Sequence, residues 1–269
     1  MPVRLIALDL DYTLLDSTHQ IPAANLSAIR EAQAAGLLVV LASARPPRSM
    51  RRYHEQIGLQ TPVVAYNGAL IYDLLTCRAL HHLPIPLPAA RSVVAYLRAV
   101  DPELNISLEC ADVWHIDQYG DDLRQVVVEY GIDPPHGVGT VDTVLATGSE
   151  AITKILFTAA NLGEAELAEL DQRLGPEVCA VRTSDRLVEV MAAGATKANA
   201  MAWVAESLGV AAAETLALGD NYNDIPLLQW AGIGVAMGNA PDTVKRAADA
   251  VTLTHDEAGV AAAIQQYAL

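Results

Sequence analysis

Residues 5–15 read LIALDLDYTLL, and this stretch decides the fold. An apolar run over residues 3–8 ends in Asp9, and Asp11 follows after one further residue. A short, mostly apolar run of this kind is typical of a strand in a parallel sheet, buried on both faces. In open α/β sheets the ligand crevice lies beyond the carboxyl ends of the strands. The segment therefore predicts a buried strand that delivers two aspartates to a crevice.

Strand and helix patterns alternate along the chain on either side of this segment. Pro22 and Gly36 delimit a predicted helix, because proline favours a first turn and glycine a helix end. A second strand is predicted at residues 37–41, a second helix from Pro46 or Pro47 to Gly58, and a third strand at 63–66. The alternation returns from residue 196 onward. This pattern predicts an α/β domain with a parallel sheet.

The middle of the chain has a different pattern. Prolines at 84, 86 and 88 look like a linker, and a helix followed by paired strand patterns comes after them. We expect residues 84–186 to form an inserted α+β domain of antiparallel character. Residues 1–83 and 187–269 would then form one discontinuous domain.

Composition excludes several classes of function. The formal net charge is −15 over 269 residues, so a general affinity for nucleic acids or anionic membranes is not expected. The three cysteines are widely spaced and form no CxxC pair, which argues against disulfides or a structural zinc site. The longest apolar run, at residues 34–42, is too short to span a bilayer. A cytoplasmic protein is expected.

A second acidic cluster favours a functional interpretation of Asp9 and Asp11. A lone Asp-x-Asp in an acidic protein is more often a solvated turn than a site. Here, however, another apolar strand pattern, residues 215–218, also ends in carboxylates, Asp220 and Asp224. Carboxylates that converge on one crevice repel each other unless a cation lies among them. Because all these ligands are oxygen atoms, Mg²⁺ is the expected cofactor.

Two further residues have the chemistry that a phosphoryl group requires. Ser43 follows the second predicted strand and offers a hydroxyl and a free backbone amide, although it is also a plausible helix cap. Lys197 lies at the start of a predicted helix and offers a positive charge, although a solvated lysine is the ordinary alternative. Their order along the chain favours the functional interpretation of both.

With these residues identified, the chain resembles the haloacid dehalogenase superfamily of phosphatases, in its Cof-type, sugar-phosphatase-like branch. Four motifs in the family's order carry the resemblance: the Asp9/Asp11 loop, Ser43, Lys197 and the segment from Gly219 to Asp224. The resemblance covers nearly the whole chain. It implies a Rossmann-like parallel-sheet core with an inserted α+β cap domain.

The resemblance also implies a role for each site residue. Asp9 would be the nucleophile that becomes an aspartyl phosphate, and Asp11 would be the general acid and base. Magnesium would be bound by the metal ligands Asp9, Asp11 (through its backbone carbonyl), Asp220 and Asp224. The residues expected to contact substrate or its phosphoryl group are Ser43, Ala44, Arg45, Asn67, Lys197 and Asn223.

Two positions depart from the family pattern. The family often has glycine where this chain has Tyr12, which is expected to narrow the entrance or to alter leaving-group selection. It often has a Thr-Gly pair where this chain has Ser43 and Ala44, but serine keeps the hydroxyl. Asn67-Gly68 by itself predicts a hairpin turn.

The sequence is also compatible with two other functions. A phosphomutase of the same superfamily shares the aspartyl phosphate, and a non-catalytic metabolite-binding relic is a third possibility. The expected partner is a small phosphorylated metabolite, such as a sugar phosphate, pyridoxal phosphate or flavin mononucleotide. Neither the individual substrate nor the oligomeric state follows from the sequence.

Overall fold

The computed structural model of the protein describes residues 2–129, 132–158, 164–182 and 187–269. The chain divides into two compact units. The core unit comprises Met1–His81 and Thr196–Leu269, and the inserted unit comprises His82–Ala195. None of the helices in the described part of the chain has the length and apolarity that a membrane span requires.

Strands and helices follow one another along the whole chain. In order they are β1 (Leu5–Leu8), α1 (Ala23–Ala34), β2 (Leu38–Leu41), α2 (Pro47–Ile57), β3 (Val63–Ala65), β4 (Leu70–Asp73), β5 (Arg78–His82), α3 (Leu87–Val100), β6 (Ile106–Cys110), β7 (Val113–Ile116), α4 (Asp121–Glu129), β8 (Gly137–Val138), α5 (Val141–Thr147), β9 (Lys154–Thr158), α6 (Glu164–Arg173), β10 (Val178–Arg182), β11 (Leu187–Ala192), α7 (Lys197–Ser207), β12 (Thr215–Gly219), α8 (Ile225–Trp230), β13 (Ile233–Ala236), α9 (Asp242–Ala247), β14 (Ala250–Val251) and α10 (Gly259–Tyr267).

The main sheet of the core unit is parallel, as the alternating pattern predicts. Its strand order is β14-β13-β12-β1-β2, and each neighbouring pair is parallel. Strand β1 lies between β12 and β2, and all four of its residues are fully buried. In register, Leu8 pairs with Leu41 on one side and with Leu218 on the other. The carboxyl ends of β1, β2 and β12 therefore lie side by side.

The third predicted strand is not a regular member of this parallel sheet. Strand β3 pairs antiparallel with β4 in a separate sheet of order β3-β4-β5, and one isolated parallel bridge, Ala42 to Val64, reaches towards the main sheet. The chain reverses because Tyr66, Asn67 and Gly68 adopt positive φ angles of 49°, 54° and 101°. The hairpin predicted at Asn67-Gly68 is confirmed, whereas the predicted parallel pairing of the third strand is limited to the bridge between Ala42 and Val64.

The inserted unit has a mainly antiparallel sheet with its own hydrophobic core. Its strand order is β10-β11-β9-β6-β7-β8, in which only β7 and β8 form a parallel pair among the described strands. Strand β11 pairs with β10 and with β9. The unit therefore extends to Ala195 and does not end at residue 186, which lies outside the described residues.

Candidate active site

The carboxyl end of β1 carries a buried ion pair. Asp9 follows β1 and is 5% exposed, and Lys197 is the first residue of α7 and is 1% exposed. Nζ of Lys197 donates to Oδ1 of Asp9 at 2.5 Å and to Oδ1 of Asp224 at 2.6 Å. Thr196 caps α7 by accepting a hydrogen bond from the backbone of Asn199. The cap fixes the point at which the lysine enters the site.

The loop after β12 fixes the other two carboxylates. Oδ2 of Asp224 accepts hydrogen bonds from the backbone N–H groups of Asp220 and Asn221, both at 3.0 Å. Oγ1 of Thr13 donates to Oδ1 of Asp220 at 3.0 Å. A Cβ atom on Gly219 would lie 2.5 Å from Cβ of Asp224, so the close approach of Asp224 to the strand end requires glycine there.

Three of these carboxylates form a candidate metal site. One oxygen each of Asp9, Asp220 and Asp224 lies within 4.8 Å of the other two, and all three residues are buried. Burial and the carboxylates of Asp224 and Asp220 raise the pKa of Asp9 well above its usual range, against the opposing effect of Lys197. Burial and Asp224 raise the pKa of Asp220 to about 6. The cluster thus carries a surplus of negative charge that a divalent cation would offset.

Asp11 stands apart from this cluster and is held by an arginine. Nε of Arg45 donates to Oδ2 of Asp11 at 2.8 Å, and Nη2 donates to Oδ1 at 2.5 Å. Such a two-point pair fixes the orientation of the carboxylate as well as its position. The Asp11 side chain is one-third exposed. A role for Asp11 in binding metal would therefore use its backbone carbonyl, as the resemblance implies.

The turn after Asp11 accommodates Tyr12 at a position where the family often has glycine. Tyr12 has a φ angle of 58°, in the left-handed region that glycine adopts without steric cost. Tyr12 is 54% exposed, and its ring packs edge-on against His255, with ring centroids 5.5 Å apart. Nδ2 of Asn239 donates to the carbonyl oxygen of Tyr12 at 2.9 Å, and Oδ1 of Asn239 accepts from the backbone of His255. These contacts hold a tyrosine in a backbone conformation that favours glycine.

The remaining predicted residues lie at neighbouring strand ends. Ser43 follows β2 and is 1% exposed, and its Oγ accepts a hydrogen bond from the backbone of Arg45 at 3.2 Å. Its backbone amide is not free, because it donates to the carbonyl of Val64 at 2.9 Å. Nδ2 of Asn223 donates to Oδ1 of Asn67 at 2.8 Å. Ala44 is half-buried between Ser43 and Arg45.

Sequence reasoning missed two residues that support the site. Thr13 orients Asp220, and Asn239 fixes the backbone at Tyr12. Thr13 lies within residues 5–15, and its hydroxyl two residues after Asp11 could have indicated a role in the site. Asn239 is remote in sequence from every motif, so no local pattern indicated it.

Comparison with known proteins shows the family of the chain. Residues 6–264 match the model of the haloacid dehalogenase-like hydrolase family. The chain is 30% identical over 294 residues to the phosphatase YwpJ of Bacillus subtilis, with 96% of this chain and 98% of the relative covered. It is 31% identical over 282 residues to the 5-amino-6-(5-phospho-D-ribitylamino)uracil phosphatase YcsE of the same organism, with 99% and 96% covered.

A solved structure shows the same fold. The crystal structure of TM0651 from Thermotoga maritima superposes with a TM-score of 0.85 at 26% identity, covering 98% of this chain and 97% of that protein. The fold and the site together define a hydrolase with a Rossmann-like core and an inserted domain. The chain belongs to the haloacid dehalogenase-like hydrolase family. Within that family it is a Cof-type phosphatase.

Proposed function

We propose that this phosphatase hydrolyses small phosphate monoesters in a Mg²⁺-dependent reaction in which Asp9 is the nucleophile. One observation carries the proposal: the buried carboxylates of Asp9, Asp220 and Asp224 converge beside the buried cation Lys197. An all-oxygen ligand set of this kind suits Mg²⁺. Bound Mg²⁺ would neutralise charge on the phosphoryl oxygens and orient the phosphate for in-line attack.

The reaction would proceed in two steps through an aspartyl phosphate. In the first, a carboxylate oxygen of Asp9 attacks phosphorus, the bond from phosphorus to the ester oxygen breaks, and protonated Asp11 gives its proton to the leaving oxygen. In the second, Asp11 takes a proton from water, the water oxygen attacks phosphorus, and the bond to Asp9 breaks. Free phosphate leaves, and both aspartates return to their starting states.

Other residues would bind and orient the groups that react. Lys197 offsets negative charge on the phosphoryl oxygens, which is the dominant form of stabilisation in phosphoryl transfer. The hydroxyl of Ser43 and the amide of Asn67 lie at strand ends of the same unit and would donate to those oxygens. Arg45 holds the Asp11 carboxylate by two hydrogen bonds, so it acts as a positioning residue for the acid and base.

The proposed substrates are small phosphorylated metabolites, such as sugar phosphates or phosphorylated cofactors of the pyridoxal phosphate or flavin mononucleotide type. The relative YcsE is named for a phosphorylated ribityl compound, which supports a phosphate ester on a small polyol or cofactor. The net charge of −15 supports the exclusion of nucleic acids as partners.

The direct test is Asp9→Asn. The amide keeps the shape of the side chain but cannot form the acyl phosphate, so phosphate release from p-nitrophenyl phosphate should fall by about a thousandfold or more. Asp242→Asn, an exposed aspartate in the first turn of α9, is the matched control and should leave turnover unchanged. Circular dichroism checks that both variants fold. An Asp9→Asn protein that turns over within tenfold of the unaltered enzyme would remove the nucleophile from this mechanism.

A further inference from the structure

A second cluster of metal-ligating side chains lies in the inserted unit. Cys110 ends β6, His115 lies in β7, and Glu150 precedes β9. One ligand atom from each residue lies within 4.8 Å of the ligand atoms of the other two. We propose that Cys110, His115 and Glu150 bind a zinc ion, at a site separate from the carboxylate cluster of the core unit.

The sheet register brings the first two ligands together. Cys110 pairs with Val113 across the β6–β7 hairpin, and His115 lies two residues further along β7. Side chains alternate between the faces of a sheet, so Cys110 and His115 are diagonal neighbours on one face. Cysteine spacing gave no indication of this cluster, because its other ligands are a histidine and a glutamate and not a second cysteine.

Two hydrogen bonds anchor the segment that carries Glu150 against β6. The backbone of Thr153 donates to the carbonyl of Glu109 at 2.6 Å, and Oγ1 of Thr153 accepts from the backbone of Ala111 at 2.7 Å. These bonds flank Cys110 on both sides along the chain. They therefore hold the chain three residues after Glu150 against the end of β6 that carries Cys110.

The imidazole of His115 is the observation that points to a ligand. His115 is 9% exposed, and its Nε2 lies 3.0 Å from Oε1 of Glu150, which is an ion pair when the imidazole is protonated. Among the described residues, Nε2 has no hydrogen-bond partner. On the other side of the ring, Nδ1 lies 2.9 Å from Oγ1 of Thr140. When Nδ1 donates that bond, Nε2 presents a lone pair to the cluster, which is the usual arrangement of a zinc-binding histidine.

The donor set selects zinc over magnesium. A thiolate sulfur, an imidazole nitrogen and a carboxylate oxygen are the three types of ligand that zinc accepts. Tetrahedral zinc with bonds of about 2.0–2.3 Å would hold these donors roughly 3.3–3.6 Å apart, so small side-chain rotations suffice. Glu150 is one-third exposed and gives the ion a path from solvent. Binding would release the thiol proton of Cys110 to water, and a water molecule would complete the coordination.

Cobalt provides a probe that reports on the thiolate directly. The full-length protein carrying Cys77→Ser and Cys179→Ser keeps Cys110 as its single cysteine. In excess Mg²⁺, which occupies the carboxylate cluster, we expect one equivalent of Co²⁺ to bind with a thiolate-to-cobalt charge-transfer band. Zinc should displace the cobalt, because zinc binds such ligands more tightly. Adding Cys110→Ser should abolish the band.

Three further variants separate this site from a structural effect and from the proposed catalytic function. Thr140→Val should weaken metal affinity by about 10–100-fold while leaving the band in place at saturation, because Thr140 only orients the ring. Glu150→Gln changes a residue that is one-third exposed and should also weaken binding without unfolding the unit. Asp9→Asn should retain the band with unchanged affinity. Absence of a charge-transfer band, or an equal band after Cys110→Ser, would overturn the proposal.

Discussion

Lys197 is a single buried cation shared by two carboxylates, and its charge state follows from them. Burial lowers the pKa of its ammonium group, but Asp224 and Asp9 outweigh burial and raise the pKa above its ordinary value. Lys197 therefore remains charged throughout the neutral range. A raised lysine pKa contributes stability that is fully present below the unfolded-state value and is lost only as pH rises through the folded-state value.

Removing this cation should damage both catalysis and folding. Lys197→Ala leaves buried carboxylates uncompensated, a loss that costs about 3–5 kcal/mol of unfolding free energy in comparable pairs. We expect turnover to fall by orders of magnitude and added Mg²⁺ to recover part of the stability but little of the turnover. Lys197→Arg should rescue turnover poorly, because a planar guanidinium cannot replace a compact ammonium between Asp9 and Asp224. Steady-state kinetics beside urea unfolding checks this, and unchanged kcat in Lys197→Ala would contradict it.

The raised carboxylate pKa values predict how stability depends on pH when no metal is bound. The pKa of Asp220 rises to about 6 in the folded protein, and that of Asp9 rises as well. A carboxyl group with a raised folded-state pKa destabilises the fold increasingly as pH rises from the unfolded-state value, about 3.9, towards the folded-state value. In EDTA, the contribution of Asp220 should therefore lower stability between about pH 4 and pH 6, and the raised pKa of Asp9 acts in the same direction.

Magnesium should reverse this effect, and more strongly at higher pH. At pH 7.5 Asp220, whose folded-state pKa is about 6, is ionised and a bound cation offsets its charge, whereas at pH 5 protons compete for the same oxygens. Added Mg²⁺ should thus raise the thermal midpoint more at pH 7.5 than at pH 5, and EDTA should silence turnover reversibly. Thermal melts at both pH values test this. An equal Mg²⁺-induced shift at the two values would contradict it.

At the scale of elements, the loop between β12 and α8 depends on the close approach of Asp224 to Gly219. Asp224 folds back over Gly219 and accepts two backbone hydrogen bonds, so the loop positions its own carboxylate. Gly219→Ala would push Asp224 away, at a cost of about 1–3 kcal/mol for the overpacking. We expect weaker Mg²⁺ binding and at least a tenfold loss of kcat/KM. Gly120→Ala, where an added Cβ would contact nothing within 4 Å, is the control.

The measurement that separates strain from site damage is a Mg²⁺ titration of activity. If Gly219→Ala lowers stability but leaves the Mg²⁺ concentration for half-maximal activity unchanged, the glycine serves folding alone. A shift in that concentration, absent in Gly120→Ala, would assign it to the positioning of Asp224.

Elements also show what local sequence can and cannot specify. Strands β1, β2 and β12 were predictable because each is an apolar run ended by a polar residue, and parallel pairing then placed Asp9, Ser43 and Asp220 side by side. The pairing of β3 was not predictable, because an apolar run carries no information about its partner. The Asn67-Gly68 turn specified the hairpin, and that hairpin, not the parallel pattern, decided where β3 pairs.

At the scale of the whole molecule, each unit has a separate hydrophobic core. One buried cluster includes Leu5, Met201 and Leu227 of the core unit, and another includes Leu97, Ile106 and Phe157 of the inserted unit. The sequence predicted two domains from the change in pattern after residue 84. The predicted C-terminal boundary of the inserted unit lay too early in the chain. The sequence of β11 does not show which sheet the strand joins, and only its pairing with β9 and β10 assigns it to the inserted unit.

Because the two units have separate hydrophobic cores, we predict that each unit has its own function. Every residue of the carboxylate cluster and Lys197 belongs to the core unit, as do the strands that position them. Replacing His82–Ala195 by a short Gly/Ser linker should therefore leave a folded core that binds Mg²⁺ and hydrolyses p-nitrophenyl phosphate. Because all the residues of the carboxylate cluster and Lys197 belong to the core unit, we expect discrimination among metabolites to depend on the inserted one. The measurement is kcat/KM over a panel of sugar phosphates, pyridoxal phosphate and flavin mononucleotide, for the full-length and excised proteins. The excised protein should lose its preferences and retain its activity on the small, unspecific ester. An unchanged ranking of substrates would locate specificity in the core unit, and an excised protein that folds but no longer binds Mg²⁺ would show that the site needs the inserted unit as well.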